Sequence, residues 1–65
     1  MEKFNRAVIK NILVEYYMGV GKTIFIKSKS RNLFKMKSAY GDTWDEKIAE
    51  EVYKEIEKEI EEGKL

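Results

Sequence analysis

Trp44, Ile48, Val52, Ile56 and Ile60 recur every fourth residue, and this stripe constrains the fold more than any other feature of the chain. Residues four apart lie along one side of an α-helix, so the stripe, flanked by Ala49 and Tyr53, must find an apolar surface to lie against. Thr43 followed three residues later by Glu46 has the spacing of a capping box, after a Gly41-Asp42 break, and Gly63 supplies a stop signal. The pattern predicts a helix over 44–62.

The covering surface has to come from few residues. A chain of 65 residues is a single domain, 1–65, at the small end of what folds alone; such domains bury only about 60% of their unfolded surface. Without Cys there is no disulfide and no thiolate metal site, and without His the commonest general base and metal ligand are missing. Stability therefore rests on aromatic and aliphatic packing, and oligomerisation or a partner helps at this size. No apolar run approaches the ~20 residues of a membrane span, and no signal-peptide core follows Met1, so the expected location is cytoplasmic, away from membranes.

Upstream of the helix, Thr23–Ser30 and Leu33–Tyr40 read as two strands of a hairpin around Ser30-Arg31-Asn32. Ile24, Ile26 and Ser28 alternate with Phe25, Lys27 and Lys29; Phe34, Met36, Ser38 and Tyr40 alternate with Leu33, Lys35 and Lys37. Such alternation marks a sheet wet on one face and packed on the other. Residues 1–18 admit two readings. The run Ile12 to Met18 is rich in β-branched and aromatic residues, which favours a short helix at 2–9 and a strand at 11–18. Phe4, Val8, Ile12 and Tyr16, with Ile9 and Leu13, also make a helical stripe ending at Gly19. A hairpin alone is a poor platform, so the expected fold is α+β: a small three-stranded antiparallel sheet on a long C-terminal helix, order α-β-β-β-α, with α-β-β-α as the alternative. The expected core joins Trp44, Ile48, Val52 and Ile56 to Ile24, Ile26, Phe34 and Met36.

Charge divides the chain in two. Residues 1–41 carry nine bases against Glu2 and Glu15, net +7; residues 42–65 carry ten acids against four lysines, net −6. No acid lies between Glu15 and Asp42, where six bases fall. Two surfaces of opposite sign point to a polyanionic partner, a basic partner, or both.

Catalysis is not expected. Gly19-Val20-Gly21-Lys22-Thr23 looks like the end of a phosphate-binding loop, but Tyr16 stands where the loop needs its first glycine, and Ile24-Phe25-Ile26-Lys27 reads as a strand where a helix is needed. A glycine hairpin turn explains those residues better. Ser28, Ser30 and Ser38 have no base, and the carboxylates lie on a solvated helix, so no enzyme, metal or cofactor is expected.

The basic sheet face is the stronger binding signal. Lysines beside an aromatic neutralise phosphates while the ring meets bases or sugars; the same lysines also serve as an ordinary solvated face or as edge protection. The candidate nucleic-acid residues are Phe25, Lys27, Lys29, Arg31, Lys35 and Lys37. A second signal lies on the C-terminal helix, where Glu57, Glu59, Glu61 and Glu62 crowd the end that the macrodipole makes unfavourable for acids. Acid pairs at i,i+4, such as Glu51/Glu55 and Glu55/Glu59, repel as well. Glu50, Glu57 and Glu61 are the candidate protein-contact residues, against the simpler reading of a solvated charged helix.

Gly21-Lys22-Thr23, Thr43 at the helix start, and the Glu-rich Glu55–Gly63 stretch followed by Lys64 together resemble the N-terminal arm-site DNA-binding domain of tyrosine recombinases (phage integrases), over about residues 12–64. The resemblance implies three strands and a helix, with the sheet in the DNA major groove and Phe25, Lys27, Lys29, Lys35 and Lys37 facing DNA. Lys47 departs from the family pattern, which has a small residue there. A double-stranded-RNA-binding domain shares the element order but opens its last helix with lysines, where this chain has Asp42, Asp45 and Glu46. The expectation is a non-enzymatic accessory or regulatory protein, of the kind found in phages and mobile elements, that binds nucleic acid, duplex DNA foremost. The alternative is an inhibitor or adaptor that docks its acidic helix on a basic protein surface. The oligomeric state is open.

Overall fold

A computed structural model describes residues 2–65. Among them are four α-helices and no strand: α1 Arg6–Val20, α2 Lys22–Lys27, α3 Lys29–Tyr40 and α4 Glu46–Glu61, with a 3-10 turn at Gly41–Thr43 before α4. The fold is all-α, and the expected sheet, with both its element orders, is corrected.

Residues 1–18 resolve in favour of the helical stripe, extended past Gly19. Asn5 caps α1 by accepting from the Val8 N–H (2.9 Å), and Gly21, at φ +90, ends it with its N–H on the Tyr17 carbonyl. Ile9 and Leu13, one turn apart, are fully buried, with Ile12, Tyr16, Tyr17 and Val20 packed around them. The β-branched and aromatic residues over 12–17 lower helix propensity by tenths of a kcal/mol each, and burying this face outweighs that.

The hairpin is replaced by two helices hinged at Ser28. Its N–H reaches the Ile24 carbonyl (3.0 Å), and its own carbonyl accepts from Asn32 (2.8 Å), so the chain bends there without losing its hydrogen bonds. The alternation over 27–37 does not keep its lysines on one face: in a helix i and i+2 lie about 200° apart, so Lys35 and Lys37 fall on different sides of α3. The composition of 29–40 argues for helix: it holds Leu, Met, Ala, Lys and Arg and no Val, Ile or Thr.

α4 matches the expected helix at its far end and is shifted at its start. The cap is Asp45, whose carboxylate accepts from the Ile48 N–H (3.2 Å), not Thr43. Trp44 therefore precedes the helix, in extended backbone, yet stays buried with Ala49, as in a hydrophobic staple. At the other end Gly63 N–H bonds the Ile60 carbonyl and Lys64 N–H the Glu59 carbonyl, with Gly63 at φ +75: a complete Schellman stop.

The core comprises Ile9, Leu13, Phe25, Trp44, Ala49, Val52, Tyr53, Ile56 and Ile60. Of the expected core, Trp44, Val52 and Ile56 are buried and Ile26, Met36 and Ile48 pack at its edge. Ile24 and Phe34 do not belong to it: they are 50% and 70% exposed. Phe4, before α1, is pinned by its N–H on the Thr43 carbonyl (2.7 Å) and sets its ring edge-on to Tyr40, which stacks on Trp44.

Ion pairs reveal the directions of the helices. Arg6 and Lys10 meet Glu51, Glu55 and Glu59 in rising order, so α1 and α4 run parallel. Lys29 meets Glu57 while Lys37 meets Glu46, so α3 runs antiparallel to α4.

Candidate functional site

The two oppositely charged halves meet each other inside the molecule. Of the seven ion pairs among the described residues, six join a base of 1–41 to an acid of 42–65. Arg6 lies between Glu51 (3.6 Å) and Glu55 (2.7 Å), and Lys10 between Glu55 and Glu59 (3.2 Å each). The acid ladder that breaks local rules on an isolated helix is thus threaded by two bases one turn apart on α1. Lys10 and then Arg6 hold the Glu55 carboxyl below its usual range, and Glu55 and Glu59 hold the Lys10 ammonium pKa above its own.

The candidate nucleic-acid residues scatter. Phe25 is fully buried, stacked face to face on Tyr53 (4.2 Å between ring centres) with Tyr17 edge-on at 5.4 Å, so its ring offers nothing to a ligand. Lys29 is half-buried, 3.8 Å from Glu57 and 5.7 Å above the Tyr53 ring, and Lys37 pairs with Glu46 at 3.2 Å. Lys27, Arg31 and Lys35 are exposed and have no ion-pair partner among the described residues. Lys22, set aside earlier as a turn residue, joins them at the start of α2, exposed and likewise without an ion-pair partner among the described residues. The acid-free stretch after Glu15 is the signal that already included it. Of the protein-contact candidates, Glu57 is engaged by Lys29, whereas Glu50 and Glu61 are exposed and have no ion-pair partner among the described residues.

What seats these four bases is a buried polar knot that the sequence did not announce. Asn32, 1% exposed, accepts from the Tyr16 hydroxyl (2.8 Å) and shares its amide hydrogens among the Tyr53 hydroxyl (2.9 Å) and the carbonyls of Ile24 (3.2 Å) and Phe25 (3.4 Å). The Tyr53 O–H donates in turn to the Phe25 carbonyl. The Phe25 carbonyl near the end of α2 is satisfied here, and all four helices contribute: Tyr16 from α1, the Ile24 and Phe25 carbonyls from α2, Asn32 from α3 and Tyr53 from α4. Burial pushes the Tyr53 phenol up, against the opposing pull of its Asn32 hydrogen bond. The knot fixes the angle at Ser28, and with it the relative placement of Lys22 and Lys27 on α2 and Arg31 and Lys35 on α3.

A helix does follow Gly21-Lys22-Thr23, contrary to expectation, but the phosphate-loop reading gains nothing from it. A helix rather than a strand comes before, and the Gly21 N–H already serves the Tyr17 carbonyl. Among the described residues no group of His, Cys, Asp and Glu is placed to hold a metal, and no helix is long and apolar enough to cross a membrane. The major-groove mode implied by the recombinase resemblance needs a sheet, and no strand occurs among the described residues.

No family model, curated protein or solved structure matches this chain.

Proposed function

We propose that this protein is a small non-enzymatic module that binds nucleic acid, duplex DNA foremost, through Lys22, Lys27, Arg31 and Lys35 on α2 and α3. The observation that carries the reading is an imbalance left after internal pairing. Arg6, Lys10, Lys29 and Lys37 are taken up by acids of α4, while these four bases have no acidic partner among the described residues. They lie on the consecutive helices α2 and α3 of a segment without a single acid, and an excess of unneutralised bases is the electrostatic footprint of a phosphate-binding surface. The acidic helix supports a docking role less well, since most of its charge already faces α1 and α3.

Anisotropy of a labelled generic duplex, titrated at several salt concentrations, tests this. Four phosphate contacts predict a log–log salt slope of about −3 to −4. Changing the four bases to Gln should flatten that slope almost completely, while Arg6→Gln with Lys10→Gln leaves it in place. Absence of binding to duplex and single strands at low salt would end the reading.

A further inference from the structure

The face of α3 turned away from the core carries Phe34, 70% exposed, on the wall of an open groove of about 620 Å³ between α3 and the start of α4. Leu33 and Gly41 line its floor, and Glu46 and Glu50 form its far rim. Apart from Leu33, Phe34 and Gly41 the lining is polar, with Ser30, Ser38 and Lys37 beside the two glutamates, so charge rather than apolar area distinguishes this face.

Charge is ordered across this face. At 3.6 residues per turn, Arg31 and Lys35 fall roughly 60° and 100° to one side of Phe34, and Leu33 and Lys37 fall on the other. The second side is the one that meets α4, since Lys37 pairs with Glu46 and Leu33 lines the groove. The order across the surface is therefore an acidic rim on which Lys37 engages Glu46 and leaves Glu50, then the groove, Phe34 and the basic flank. The register set by Lys37–Glu46 and Lys29–Glu57 brings the exposed, unpaired Glu50 level with Leu33 and Phe34, between Arg31 and Lys35 in height.

We infer that the partner of this face is a second copy of the same chain. A two-fold axis running along α3 past Phe34 sets each Phe34 toward the other copy's groove. It also lays each copy's Glu50 over the other's Arg31 and Lys35. An axis perpendicular to α3 in the same plane stacks base on base and acid on acid, so the charge order selects the parallel arrangement. In this arrangement the surface is self-complementary in sign. The inference does not rest on the nucleic-acid reading; it shares Arg31 and Lys35 with it, so duplex and second copy compete for those two side chains.

The test contains no nucleic acid. Sedimentation equilibrium from micromolar to millimolar concentration should show a monomer–dimer equilibrium. Phe34→Asp should weaken it on the order of tenfold or more, as for a central aromatic anchor, with the helical circular dichroism unchanged because the side chain is exposed in the monomer. Glu50→Lys and Arg31→Glu should each weaken dimerisation, and the two changes together should restore it. Monomer mass at every concentration overturns the inference. So does a dimer that survives Phe34→Asp, or a double charge reversal that fails to restore what either single reversal loses.

Discussion

The α1–α4 pair and the α2–α3 segment are built by different rules. Between α1 and α4 the contact is apolar inside and ionic at the edge: Ile9 and Leu13 are buried in one core with Val52, Ile56 and Ile60, and Arg6 and Lys10 close the seam over Glu51, Glu55 and Glu59. In α2–α3 only Phe25 and Asn32 are buried, the contacts around Asn32 are polar, and bases and large apolar side chains are left in solvent. The first arrangement closes its seam with charge; the second pairs Lys29 and Lys37 with α4 and leaves Lys22, Lys27, Arg31 and Lys35 without an acidic partner among the described residues. The proposed binding surface on α2–α3, with α1–α4 as its support, rests on that difference.

The sharpest way to break this comparison is at Phe25, the fully buried residue of α2. Phe25→Ala removes a buried ring stacked on Tyr53 and should cost about 3–5 kcal/mol, read from urea unfolding by the emission of the single tryptophan, the buried Trp44. A loss below about 1 kcal/mol would mean that α2 is not part of the cooperative unit.

Next in size is Asn32. Asn32→Ala leaves the Tyr16 hydroxyl and the Ile24 carbonyl without their side-chain partner, and should cost about 2–3 kcal/mol. Because the same residue fixes the bend at Ser28, hydrogen exchange should speed up in α2 and α3 more than in α1 and α4. Uniform acceleration across all four helices would assign Asn32 a role in general stability and none in positioning.

Acidity and alkalinity probe the two regions separately. The Glu55 carboxyl is held low by Lys10 and Arg6, so its contribution is present above the ordinary carboxylate range and lost as pH falls through its depressed value. Lys10 and Tyr53 are both held high, so their contributions are intact below their ordinary values and fade as pH rises beyond about 10. Stability should therefore be flat around neutrality and fall at both ends. Arg6→Gln with Lys10→Gln should blunt the acid limb, and Tyr53→Phe the alkaline one.

How much of this was legible beforehand follows the same division. The Trp44–Ile60 stripe and Gly63 located α4 because a four-residue apolar period over seventeen residues has no competing interpretation. α1 was visible only as one of two readings, since its aromatic and β-branched residues suit a strand until Ile9 and Leu13 are known to face a core. α2 and α3 were misread because a buried Asn32 interrupts the apolar period that would have betrayed a helix. Phe25, taken for a solvent-facing ring, turned inward when the period changed from two to 3.6. The charge split suggested two surfaces of opposite sign, each facing an outside partner; six ion pairs among the described residues instead join the two halves, which depends on the register of α1 and α3 against α4, and no local pattern encodes that.

The claim that charge supports one region and is free in the other is tested most directly by comparing two double variants in the same urea titration, at low and at high salt. Arg6→Gln with Lys10→Gln removes the bases over α4; Arg31→Gln with Lys35→Gln removes an equal number from α3. The first pair should lower the unfolding midpoint at low salt, with the difference shrinking as salt screens the seam, while the second leaves the midpoint unchanged or raises it. Equal losses from both pairs, or a larger loss from Arg31 and Lys35, would contradict the account.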